Sequence, residues 1–68
     1  MFEVIPMHKY IGSVVSIIYL DRLGRLSKRR IRIQSIKGDL MRAYDYERGA
    51  PRVFKCENIL ALQPVKSA

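Results

Sequence analysis

The side chains in this sequence best suited to chemistry are arginines and tyrosines set at alternating positions. Arg30-Ile31-Arg32-Ile33-Gln34 alternates charge and grease without a break, and Arg42, Tyr44 and Tyr46 repeat the spacing a few residues later. A guanidinium carries five N–H donors in a planar fork that matches phosphate oxygens. A tyrosine ring offers a face on which a base can stack. Such a set recognises anions, nucleic acid or a phosphorylated ligand, and breaks no bonds. The single His8 and single Cys56 do not make a metal-ligand cluster or an oriented nucleophile–base pair. No Gly-rich phosphate loop leads into a helix. The expectation is therefore a non-enzyme with no cofactor and no metal.

Composition points the same way. The 68 residues suffice for one small domain, and a formal charge of +7 with pI near 10.1 suits an anionic partner. A hydrophobic content of 49% excludes a disordered polyelectrolyte. One cysteine cannot form an internal disulfide, which fits a reducing cytosol. No apolar run approaches the roughly 20 residues of a membrane helix, and Met1-Phe2-Glu3-Val4-Ile5-Pro6 lacks the basic start of a signal peptide. A cytoplasmic, bacterial-type protein without a membrane partner is expected.

The elements that must position these residues are short strands. Ser13–Leu20 is β-branched and apolar on both faces, so it should be central or covered by the N-terminal segment. Asp21-Arg22-Leu23-Gly24 is a turn, Lys28–Ile36 a second strand, and Lys37-Gly38-Asp39 a tight reversal. Leu40–Tyr46 is a third strand and Arg52–Cys56 a fourth, with Pro51 admissible only at a strand's first residue. Glu57-Asn58 reads as one helical turn before a fifth strand, Ile59–Leu62, ended by Pro64. Phe2, Val4 and Ile5 suit a short edge strand or a docking segment. The predicted architecture is all-β: a small five-stranded barrel of the Sm-like or Src-homology-3-like kind. Residues 1–12 form its N-terminal segment, 13–63 the barrel and 64–68 a tail, frayed from Val65. An open meander that dimerises through its edges is the rival.

The order Val15-x-Ile17-x-Tyr19-x-Asp21-x-x-Gly24, Arg29-x-Ile31, Leu40-Met41-Arg42-Ala43-Tyr44-Asp45, Arg52-x-Phe54 and Ile59 resembles the WYL domain family. The family's naming triplet is Asp39-Leu40-Met41 in this chain, the proline expected shortly after Arg29 is Ile33, and the arginine expected before Ile59 is Asn58. The resemblance implies a small Sm-like barrel from bacterial transcriptional regulators that senses a ligand or nucleic acid, standing alone here. It puts Tyr19, Arg29, Arg42, Tyr44 and Arg52 at the family's positions of interest.

Each candidate also has a plainer role. Arg30 and Arg32 share a face and can hold phosphates or merely guard an edge strand, whereas Arg29 points with Ile31 towards the mouth of the barrel. Arg42 adds a third cation and Tyr44 a stacking ring, while Tyr46 is expected to pack. Arg52 can bind an anion or pair with Asp21 or Asp45. Phe54 reads as core. Nucleic acid or an anionic ligand is the expected partner. The alternative is an adaptor that meets a regulator protein or a second copy through its strand edges.

Overall fold

The period-two patterning becomes five antiparallel strands in one sheet. The computed structural model describes residues 6–65. The strands are β1 (Val14–Leu20), β2 (Leu26–Lys37), β3 (Leu40–Asp45), β4 (Ala50–Lys55) and β5 (Ile59–Pro64), in the spatial order β4-β3-β2-β1-β5. Single 3₁₀ turns cover Met7–Tyr10 and Cys56–Asn58, and no α-helix occurs among the described residues. No helix is long and apolar enough to cross a membrane. Phe2, Val4 and Ile5, expected as an edge strand or docking segment, lie outside the described residues.

The sheet curls strongly. Val15 and Ile17 of β1, Ile31 and Ile33 of β2, Met41 and Ala43 of β3, Phe54 of β4 and Ile59 of β5 all turn inwards and are buried together. Two strands separate β1 from β4 in the order, yet the Tyr19 ring meets Phe54 edge-on with centroids 5.0 Å apart. The Lys55 backbone N–H donates to Tyr19 Oη at 3.1 Å. Side chains thus bridge the open side, but no hydrogen-bonded ladder joins β4 to β5 among the described residues. The expected full closure is not present. Pro51 on β4 and Pro64 on β5 lie on the two strands that would have to pair, and neither has an N–H to give.

Proline also corrects two boundaries. Pro51 is the second residue of β4, opposite Tyr44, where an edge strand tolerates the missing donor. Pro64 belongs to β5 and not to the tail. It pairs with Val15, and the Val65 N–H donates to the Val14 carbonyl at 3.1 Å. A bulge between Ile33 and Ser35 lets Gln34 and Ser35 both face outwards, so β2 bends without losing its inward run. The β2–β3 reversal is a two-residue turn with Gly38 at φ 59°, the first-position positive φ of a primed hairpin.

Asp21 sets the β1–β2 turn. Its Oδ1 accepts the backbone N–H groups of Arg25 at 2.8 Å and Leu23 at 2.9 Å. The Arg25 N–H is the chief cause of a carboxyl held below its ordinary value, with the Leu23 N–H and the Arg25 guanidinium adding to it. A depressed carboxyl stabilises the fold above its unfolded value and loses that contribution as pH falls through its folded value. Acidification below pH ~4 is therefore expected to loosen this hairpin first. The protection factors of the Leu23 and Arg25 amides, exchange corrected for its intrinsic pH dependence, should fall there in the wild type and stay constant in Asp21→Asn. A constant wild-type protection factor would show that the carboxylate does not hold the turn.

Candidate nucleic-acid interface

The inward alternation of β2 and β3 fixes what faces out. Lys28, Arg30, Arg32 and Lys37 of β2, Arg42 of β3 and Lys55 of β4 occupy exposed outward positions. Among the described residues, no carboxylate shares that face at a strand position. Asp21, Asp39 and Glu47 sit in turns, Glu57 in the 3₁₀ turn, and Asp45 points inwards. The strand positions of the outer face are thus cationic, with no neutralising carboxylate among the described residues.

Register brings part of the expected set together. Arg32 lies directly opposite Tyr44, and Arg30 opposite Ser16. The Tyr46 N–H continues the β2–β3 ladder by donating to the Arg30 carbonyl at 3.0 Å. The Tyr44 and Tyr46 rings meet edge-on, 5.1 Å apart at 68°, and Arg32 Nε donates to Tyr46 Oη at 3.3 Å. Arg42 is two residues from Tyr44 on the same side, roughly 7 Å along the strand.

An open recess of about 600 Å³ lies beside this cluster, lined by Tyr10, Val14, Arg30, Arg32, Tyr46 and Val65 among others. Its floor is apolar, tyrosines line it from two separate elements, and two guanidiniums reach it. A planar ring can enter while its phosphates meet Arg30 and Arg32.

Two roles differ from expectation. Tyr46, expected to pack, is 43% exposed and lines the recess, while Tyr44 is only half-exposed and buttresses it. The difference arises because Tyr46 lies one residue beyond β3, where no strand covers it. Tyr10 and Val65 had no periodic signal, since each precedes or follows the strands and arrives only through the tertiary fold. The Lys9 ammonium lies 5.6 Å from the Tyr10 ring centroid, adding one more cation near this rim.

Tyr19, Arg29 and Arg52 take inward strand positions instead, although Arg52 also borders an open recess with Arg42. They belong to the opposite, inner side, at the mouth of the curled sheet. Asp45 is fully buried there, and its Oδ2 lies 3.3 Å from Arg29 Nη1 and 3.6 Å from Arg52 Nη1. Its Oδ1 accepts the backbone N–H groups of Glu47 at 2.9 Å and Arg48 at 3.4 Å. The Arg52 guanidinium also covers the Phe54 ring at 5.0 Å. Of the two ion-pair partners open to Arg52, the fold selects Asp45.

No family model, curated protein or solved structure matches the chain. Function must therefore be argued from these two surfaces alone. Burial, and next the charge of Asp39, push the Cys56 thiol up from its ordinary value, which disfavours the thiolate.

Proposed function

We propose that this protein is a non-catalytic binding module that holds nucleic acid on its outer sheet face. The carrying observation is that every charged outward strand position among the described residues is cationic and that two of these cations, Arg30 and Arg32, line a recess with Tyr10 and Tyr46. Arg30, Arg32 and Arg42 hold phosphates, and the recess beside Tyr46 and Tyr44 takes a base. The strongly curled five-stranded antiparallel sheet supports a place among small Sm-like or Src-homology-3-like barrels. The order of residues from Val15 to Ile59 supports descent from a WYL-like module of a bacterial transcriptional regulator, acting in the cytoplasm.

The test is a salt series with short single-stranded and duplex DNA and RNA. Three phosphate contacts predict a log–log slope of about −2 on single strands. Arg32→Ala and Arg42→Ala should each weaken binding and flatten that slope by about 0.7. Absence of binding to all four at low salt sinks the proposal. Light scattering on the same samples would then read the second hypothesis, pairing through the open edges of β4 and β5. That hypothesis draws on the uncharged run Leu60-Ala61-Leu62 of β5, in which Leu60 is 52% exposed.

A further inference from the structure

The inner mouth holds more positive charge than its carboxylates neutralise. A recess of about 460 Å³ opens there, lined by Arg25, Arg29, Arg48, Arg52, Ser27 and Asp21, with Tyr19 and Leu26 completing the wall. The four guanidiniums come from the β1–β2 turn, β2, the β3–β4 turn and β4. Two carboxylates answer them. Asp21 meets Arg25 at 3.4 Å, and the single Oδ2 of Asp45 is shared between Arg29 and Arg52. Two charges are left over. Arg48 makes no side-chain ion pair or hydrogen bond among the described residues, although its backbone is tied to Asp45.

Sharing one oxygen also leaves donors spare. Each guanidinium has five N–H groups, and Arg29 uses one on Asp45 and one on Ser27 Oγ at 3.4 Å. Asp45 therefore works less as a neutraliser than as a peg. It holds two arginines, with side chains 26% and 29% exposed, in a fixed arrangement before any ligand arrives. A preorganised fork with a surplus of about two charges matches a phosphate monoester, which carries about −1.5 to −2 at neutral pH. A polymer backbone needs a track to run along, and the cationic track lies on the other face of the sheet.

We propose that the inner mouth is a second anion site, separate from the outer face, that takes a single phosphate monoester group. Arg48 and Arg25 close on the phosphate from the two turns, and Arg29, Arg52 and Ser27 receive it from within. The group can belong to a small free phosphate or to the 5′-terminal phosphate of a strand.

The test is a backbone-amide NMR titration with inorganic phosphate at constant ionic strength, with chloride as the reference. Saturable shifts are expected at Ser27, Arg29, Arg48 and Arg52. Arg48→Ala, an exposed position whose backbone bond to Asp45 survives the change, should weaken binding about tenfold, the worth of one charge-assisted hydrogen bond. Lys37→Ala, an exposed cation of β2 that lines neither recess, should leave phosphate affinity unchanged. Shifts that do not saturate, that centre on the outer face, or that persist undiminished in Arg48→Ala would overturn the second site. Because Arg32 and Arg48 report on different faces, failure here is distinguishable from failure of oligonucleotide binding. Comparing 5′-phosphorylated with 5′-hydroxyl oligonucleotides then separates the sources. Tighter binding of the phosphorylated strand, abolished by Arg48→Ala, identifies a strand end. Equal binding, alongside saturable inorganic phosphate, identifies a free small molecule.

Discussion

Replacing Phe54 with alanine should cost about 3–5 kcal/mol, a large share of the stability a chain this small can have. Phe54 is fully buried, and it is the largest side chain in the core. Its removal forfeits the transfer energy of the ring and leaves a cavity that a curled sheet cannot collapse into. It also removes the edge-on contact with Tyr19 and the guanidinium of Arg52 lying over the ring. Those contacts hold β4 against β1 across the side that no ladder closes, so the loss reaches beyond one cavity. A chain of 68 residues has only roughly 3–10 kcal/mol of total stability to lose. Phe54→Leu, which keeps most of the volume, should cost about 1 kcal/mol. Urea unfolding followed by circular dichroism measures both. An alanine variant within 1 kcal/mol of wild type would mean that the space between β1 and β4 refills, and that the bridge described above is not a support.

The second large effect is expected at Asp45. Asp45→Ala removes the shared acceptor of Arg29 and Arg52 and the cap on the Glu47 and Arg48 N–H groups. Breaking a buried ion pair costs about 3–5 kcal/mol where the orphaned charge stays buried. Here both arginines are about one-quarter exposed and can turn partly into water, so the lower end, about 3 kcal/mol, applies. Asp45→Asn keeps an oxygen for the two N–H groups and loses only the charge, and should cost roughly half as much. Equal loss in both variants would assign the whole effect to the ion pairs. No loss in either would show that the buried carboxylate is not a peg.

These two residues also mark how far the sequence can be read. Phe54 was legible as core from period two, because an inward position on a strand is set by its neighbours' parity. The same parity separated Arg29 from Arg30 and Arg32, and placed the latter two with Arg42 and Tyr44. Asp45 was legible only in part. It was one of two carboxylates open to Arg52, and it does pair with it, but full burial between two arginines depends on strands 16 and 7 residues away in sequence coming to one point. Tyr46 was misjudged because parity says which face a residue takes and not whether anything covers it.

The sequence by itself determined the number of strands, most of their turns, the apolar lining and the cationic outer face. Those features depend on backbone parity, turn chemistry and charge, all of them local. Only the tertiary structure decided that the sheet curls without a closing ladder. It alone set Tyr10 and Val65 beside Arg30 and Arg32, and gathered Arg25, Arg29, Arg48 and Arg52 around one recess. Those are consequences of bend, bulge and register, which bring together residues far apart in the chain. The alternation of Arg30 and Arg32 therefore marks the outer face as cationic, while the curl of the sheet divides the arginines between two separate surfaces.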